Sequence, residues 1–197
     1  MLGLPTSPKF LIAPLVLALI IVFLHIGEPA TANWLGFYPH LVLEGQWWRV
    51  VTGQLLHTNT NHMLLNLAGL GLVWALHGEY YRARHFAVIN ILSLVLIGFS
   101  LMLFVEYGHY AGLSGVLHSL LIYGAFIDIN RGDRSGWLLM TGVIGKVLYE
   151  TLIGPSKDTE AMIDAAVAFE AHVLGVIAGA LLGLAYLYRP AMFRQPD

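Results

Sequence analysis

The sequence predicts an all-α membrane protein that crosses the bilayer several times. Of its 197 residues, 57% are hydrophobic and 11% are charged, whereas soluble domains carry roughly 25% charged residues. The mean hydropathy is +0.71, and the charges fall in short connectors between long apolar runs. Such runs form helices in a bilayer, because a helix satisfies every backbone polar group within one segment.

Six apolar segments, each near or below the ~20 residues that a spanning helix needs, predict a six-helix bundle. The whole chain, 1–197, is expected to form this single membrane domain. The segments cover about 10–27, 62–78, 86–105, 114–127, 136–153 and 166–188.

The distribution of Lys and Arg predicts that both termini are cytoplasmic, because cytoplasmic loops are enriched in these residues. On this orientation the outer side holds only Arg49 and Lys157. The inner side holds Lys9, Arg82, Arg84, Arg131, Arg134, Arg189 and Arg194. The start of the chain also resembles a cleavable signal peptide ending near 30–32. We expect the first span to be retained, because its apolar run is long for a signal peptide.

Composition also limits the partners. The formal net charge is −2 with no basic stripe, so no nucleic-acid partner is indicated. The absence of cysteine excludes disulfides and thiolate chemistry. Membrane lipids are the expected surroundings, and the outer segment 28–61 is aromatic enough to lie in the headgroup interface. The oligomeric state is not indicated.

The fourth apolar segment is too short to cross the bilayer completely. From Ser114 to Ile127 there are 14 residues, which span about 21 Å, against a hydrocarbon core of about 30 Å. Anchored at the inner side by Asp128, this helix would begin below the outer surface with Ser114 at its N-terminus. Irregular backbone at that depth must line a cavity or be buried in protein, so a recessed, water-filled cavity is expected.

His172 is predicted to lie at a similar depth in the last helix. Gly175 and Gly179 follow it at the spacing that lets membrane helices pack closely. If this face meets the fourth helix near Gly115, His172 can act as the base that activates Ser114 as a nucleophile. The alternatives are that the serine motif only packs helices and that His172 only bonds a backbone carbonyl.

Two polar residues of the second helix can support the same chemistry. His62 and Asn66 are four residues apart and share a helix face. They could donate to a tetrahedral oxyanion together with the Ser114 backbone N–H. Alternatively they join helices by hydrogen bonds, or His57, His62 and His172 bind a metal. We expect no metal, because no HExxH-type motif accompanies the histidines.

Taken together, these residues resemble the rhomboid family of intramembrane serine proteases. The motifs appear in the family's order as Trp48-Arg49, His57 with His62 and Asn66, Gly112 to Gly115 around Ser114, and His172 with Gly175 and Gly179. The resemblance implies a Ser114–His172 catalytic dyad, an oxyanion hole of His62, Asn66 and the Ser114 amide, supporting glycines, and no cofactor. Rhomboids commonly have a tyrosine one turn after the serine, and this chain has His118 there. We expect His118 to support the His172 ring by stacking or hydrogen bonding.

The stretches GLSGVLH, KVLYE and EAH look like the rhombosortase branch. That resemblance implies cleavage of exported bacterial proteins near a C-terminal GlyGly-CTERM tail, by an enzyme of the inner membrane whose site opens to the periplasm. A general rhomboid protease is the alternative within the family. A relative without activity that binds transmembrane segments, and a transporter with an ion relay through His118, Lys146 and Glu150, are alternatives from other classes.

Lys146 and Glu150 lie one turn apart in the fifth apolar segment and should share a face. Intramembrane ionisable groups are costly and usually functional. We expect this face to border the substrate cavity, with Glu150 binding the amides of the glycine pair or an incoming amine. The alternative is an internal ion pair that fixes the fifth helix to the bundle.

Overall fold

The computed structural model describes residues 4–104 and 108–188, and over these ranges it is helical with no β-strand. The all-α prediction is therefore confirmed for the described residues. Arg189, Arg194 and the end of the third predicted span lie outside them. The helices are α1 (Pro8–Ile26), α2 (Ala30–Leu35), α3 (Pro39–Leu43), α4 (Arg49–Thr52), α5 (Thr60–His77), α6 (Ala83–Phe104), α7 (Ser114–Asn130), α8 (Ser135–Ile153), α9 (Lys157–Ile163) and α10 (Phe169–Tyr188), with 3₁₀ turns at Gly53–Leu55 and Gly78–Tyr80.

Helices occupy all six predicted apolar segments, but they differ in how well they suit a bilayer. Within the described residues, four of them, α1, α6, α8 and α10, are long and apolar enough to cross a membrane. Helix α7 has only 17 residues, and α5 carries buried polar side chains such as His62 and Asn66. The six-span count and the orientation of the termini stay predictions.

Helix α7 is the centre of the bundle. Eleven of its 17 residues are buried, and it packs against α10, α8, α5 and α6. Helix α1 lies at the periphery, with only Pro14 and Ile21 buried. The serine at the start of α7 is therefore held by the most enclosed element of the described structure.

Glycines make the contact between α7 and α10 unusually close. A methyl group on Gly175 would overlap the carbonyl oxygen of Gly115, and one on Gly179 would overlap that of Ser119. Absence of side chains here lets the two backbones touch, as the small-residue spacing predicted. The close approach brings the N-terminal ends of α7 and α10 together.

The outer segment 28–61 folds into the short helices α2, α3 and α4 around one buried cation. The Arg49 guanidinium donates to the carbonyl oxygens of Gly36 at 2.7 Å and Asn33 at 2.8 Å. Trp34 and Trp47 remain 72% and 56% exposed. Exposed indoles suit a membrane interface, although the position of this segment in the headgroups stays a prediction.

Candidate active site

The structure brings Ser114 and His172 together across the junction of α7 and α10. Ser114 is the first residue of α7, and His172 is in the first turn of α10. The Ser114 Oγ lies 2.9 Å from His172 Nε2, which is a hydrogen-bond distance. With His172 buried, the arrangement matches a serine nucleophile beside its general base.

The backbone before Ser114 is fixed by Gly112. Its φ of +124° suits glycine and strains other residues. A Cβ at this position would also lie 2.8 Å from His62 Nε2. The Tyr110 hydroxyl donates to the Gly112 carbonyl at 2.9 Å. Because burial raises the pKa of Tyr110, that hydroxyl keeps its proton and the hydrogen bond holds the loop.

His118 lies under the ring of His172. Its ring is stacked on that of His172 with centroids 4.3 Å apart and planes 20° apart. His118 Nδ1 donates to the Ser114 carbonyl oxygen at 2.7 Å. This bond leaves Nε2 of the neutral ring as an acceptor, and Lys146 Nζ lies 3.1 Å from it. Of the two contacts with His172 that the sequence suggested, the structure shows the stacking, whereas the hydrogen bonds of His118 go to Ser114 and Lys146.

Glu150 contacts His172 directly, a relationship that the sequence reasoning missed. Its Oε2 lies 2.8 Å from His172 Nδ1, on the side of the ring opposite Ser114. The same Oε2 lies 2.8 Å from Lys146 Nζ, so the two charges are paired within α8. Lys146 Nζ is also 3.0 Å from His172 Nδ1. The spacing of Lys146 and Glu150 could indicate a shared face but not what that face meets.

The predicted oxyanion residues line the same cavity as Ser114. Asn66 is 3% exposed, and its Nδ2 donates to the His62 carbonyl oxygen at 3.0 Å within α5. An amide group carries two hydrogens, so the second can be offered to the cavity. The Ser114 N–H is in the first turn of α7, where backbone donors have no partner within the helix. The Asn66 amide and the Ser114 N–H can therefore both donate to a group bound next to Ser114.

The proton position on His62 depends on Thr58. His62 can donate from Nε2 only when Nδ1 is an acceptor. Thr58 presents its backbone N–H at 3.5 Å and its hydroxyl at 3.0 Å from this nitrogen. The hydroxyl also lies 2.6 Å from the Ile163 carbonyl. If the Thr58 hydroxyl donates to His62 Nδ1, the ring carries its proton on Nε2. If the hydroxyl donates to the Ile163 carbonyl, it can accept from His62, and the form with the proton on Nδ1 is favoured.

A cavity of about 510 Å³ joins these groups. Its walls come from α5, α7, α8 and α10, and α9 with the following loop closes one side. The lining includes Ser114, His172, His62, Asn66, His118, Lys146 and Glu150, together with apolar side chains such as Leu117 and Ile163. An apolar cavity with a few convergent polar groups is typical of a ligand or substrate site.

His57, His62 and His172 are the three histidines that the sequence leaves as possible metal ligands. His57 and His62 lie edge to face with centroids 5.0 Å apart. Burial, followed by the neighbouring His62, lowers the pKa of His57 to about 3, so its ring is neutral. Over residues 4–104 and 108–188, no three His, Asp or Glu side chains are grouped so that they could hold a metal ion. That the chain needs no metal stays a prediction.

Comparison with known proteins adds a family and one relative. The model of the rhomboid domain matches residues 44–189. The chain is 29% identical to the rhomboid protease GlpG of Photorhabdus laumondii over 164 residues. That alignment covers 80% of this chain and 54% of the relative, so the chain spans about half the length of the protein that it matches. Ser114, His172 and the lining residues all fall within the matched domain.

Proposed function

Because this chain belongs to the rhomboid family of multi-pass membrane proteins, we propose that it is an intramembrane serine endopeptidase. Its nucleophile is Ser114 and its general base is His172. The observation that carries the proposal is the 2.9 Å contact between Ser114 Oγ and His172 Nε2 at the edge of a largely apolar cavity. An inactive relative that only binds transmembrane segments would have no need of this contact.

The reaction follows from the atoms in place. Ser114 Oγ attacks the scissile carbonyl carbon while His172 Nε2 takes the hydroxyl proton. The Ser114 N–H, the Asn66 amide and His62 donate to the resulting oxyanion. The C–N bond then breaks, and His172 gives its proton to the leaving amine. Water attacks the Ser114 ester with His172 again as base, which releases a carboxylic acid and restores the serine.

We further propose a substrate with a C-terminal transmembrane tail of the GlyGly-CTERM type, as in the rhombosortase branch. Glycine residues favour an unwound backbone over a helix, so a glycine pair beside the tail helix would present an accessible peptide bond. The cavity, lined by Ser114 and largely apolar side chains, suits an extended backbone with small side chains. The similarity to GlpG favours the second candidate, a general rhomboid protease acting on other single-span proteins.

The proposed location is the bacterial inner membrane, with six spans and the cavity open to the periplasm. Ser114 and His172 both lie at the ends of their helices that the Lys and Arg distribution places outside. An exported substrate anchored by its tail would meet the cavity from this side. No metal or cofactor is required by the proposed chemistry.

The experiment is coexpression with a GlyGly-tailed substrate, followed by mass spectrometry of the product C-terminus. Wild type should yield one defined product, ending in a carboxylate after hydrolysis or in an amide after transfer to an amine. Ser114→Ala should yield none. Processing of an unrelated single-span protein but not of the GlyGly-tailed substrate would favour the general protease. Processing by Ser114→Ala at the wild-type rate would refute the protease proposal.

A further inference from the structure

The resemblance to rhomboids implies a catalytic dyad, but the geometry points to a third member. We propose that Glu150 is a positioning residue that completes a Ser114–His172–Glu150 triad. Its carboxylate lies 2.8 Å from His172 Nδ1, while Ser114 Oγ lies 2.9 Å from Nε2 of the same ring. This inference rests on the proposed protease function and differs from the substrate-binding role that the sequence suggested for Glu150.

The carboxylate determines which nitrogen of His172 carries the proton. A carboxylate only accepts, so Nδ1 must donate to Glu150 and Nε2 is left without hydrogen. Nε2 then accepts the Ser114 proton, which is the form that a general base requires. When Nε2 takes that proton, the ring becomes a cation, and the adjacent negative charge stabilises it. Both nitrogens of His172 are therefore used by groups with complementary roles.

Lys146 keeps the carboxylate in this position. Its ammonium donates to Glu150 Oε2 at 2.8 Å and to His118 Nε2 at 3.1 Å. His118 in turn is bonded through Nδ1 to the Ser114 carbonyl. The pairing avoids an unpaired charge at membrane depth, which would be costly. The contact between Lys146 Nζ and His172 Nδ1 joins two donors in this network, so we assign no hydrogen bond to it.

Burial strengthens the interaction between the negative charge of Glu150 and the His172 ring. The side chains of His172 and Glu150 are 7% and 12% exposed, so water screens their interaction weakly. Glu150 is on α8, whereas Ser114 and His172 are on α7 and α10. The triad is thus assembled from three helices and depends on how α8 packs against α10.

The test measures the rate at which a fluorophosphonate modifies Ser114, and kcat and KM for a GlyGly-tailed substrate, in detergent-solubilised protein. Glu150→Gln should lower the modification rate and kcat by up to about 10⁴, the loss of kcat seen when a triad aspartate is replaced by asparagine, with little change in KM. Glu150→Asp should recover part of the loss. Asp158→Asn, which removes an exposed carboxylate of α9, is the matched control and should behave as wild type.

Two outcomes would overturn the triad. If Glu150→Gln is modified at the wild-type rate while cleavage falls, Glu150 acts on the substrate and not on His172. If it differs from wild type only in thermal stability, the Lys146–Glu150 pair is structural. Neither outcome affects the proposed protease function, which is tested separately by cleavage and by Ser114 modification in wild type and in Ser114→Ala.

A second variant keeps the test decisive if Glu150→Gln folds poorly. Glu150→Ala leaves space beside His172 Nδ1 that a small carboxylate can enter. Added formate should raise the rate of Ser114 modification in the folded fraction of this variant, whereas chloride at the same ionic strength should not. Wild type should not respond to formate. Such an effect on Glu150→Ala would support the triad, because a structural defect or a lost substrate contact would not respond to formate in this assay. Absence of any formate effect on Glu150→Ala would contradict the triad, because the triad requires only a carboxylate beside His172 Nδ1.

Discussion

Asn66 and Asn90 form a matched pair of residues that separates catalysis from packing. Both are buried, and each donates from Nδ2 to the carbonyl four residues earlier in its own helix. Only Asn66 lines the cavity. Asn66→Ala should lower kcat by about 10²–10³, the cost of losing one oxyanion donor, with a small change in melting temperature. Asn90→Ala should leave kcat unchanged. Equal kcat losses in both variants would assign Asn66 to packing.

The stacking of His118 on His172 gives a second prediction for a single residue. His118→Phe keeps an aromatic face against His172 but loses the bonds to Ser114 and Lys146. His118→Ala loses the face as well. We expect kcat to fall in the order wild type, Phe, Ala, as measured by cleavage at saturating substrate. If Phe and Ala were equally impaired, the hydrogen bonds of His118 would matter and its stacking would not.

For single residues, the sequence predicts a contact when it follows from depth in the membrane. The number of residues between each side chain and the polar end of its helix predicts similar depths for Ser114 and His172, and hence their contact. The partner of Glu150 depends instead on the rotation of α8 about its axis. Helix α8 has apolar side chains on its exposed face, such as Leu138, Leu148 and Leu152, as well as on its buried face, so hydrophobic patterning does not define its inward face. Only the packed bundle shows that Glu150 meets His172.

At the scale of elements, the junction of α7 and α10 positions the proposed nucleophile and its proposed base. Gly175→Ala would place a methyl group against the Gly115 carbonyl and force the helices apart. We expect a loss of about 1–3 kcal/mol in the free energy of unfolding, the usual cost of overpacking, together with lower kcat. Gly142→Ala in α8, where a Cβ meets nothing within 4 Å, is the control and should not destabilise the protein. Unchanged stability and activity in Gly175→Ala would contradict this packing.

The sequence predicted the positions of the long helices better than the structure of the outer segment. Long apolar runs end at clear polar boundaries, so each predicted segment contains a helix. The segment 28–61 has no comparable periodicity. Its short helices α2, α3 and α4 are held by tertiary contacts such as the hydrogen bonds from Arg49 to Gly36 and Asn33, and such contacts leave no local pattern in the sequence.

At the scale of the whole molecule, the absence of native cysteine allows a direct test of orientation. Asn130 and Asp158 are exposed residues on either side of α8. In spheroplasts, a membrane-impermeant maleimide should label Asp158→Cys, whereas Asn130→Cys should be labelled only after permeabilisation. Both variants must still cleave substrate for the result to count. The reverse pattern would place the active site on the cytoplasmic side, and labelling of both in intact spheroplasts would mean that α8 does not cross the membrane.

The central claim for the molecule is that its bundle activates one serine at membrane depth. Mass spectrometry after treatment with a fluorophosphonate tests this most directly, because the adduct can be mapped to a residue. We expect modification of Ser114 in wild type and in the control variant Ser119→Ala. Ser119 is a buried serine of the same helix and is hydrogen-bonded to Ser93. We expect no adduct in Ser114→Ala and a strongly reduced rate in His172→Ala. Modification of Ser114→Ala at the wild-type rate, or of His172→Ala as fast as wild type, would contradict the central claim.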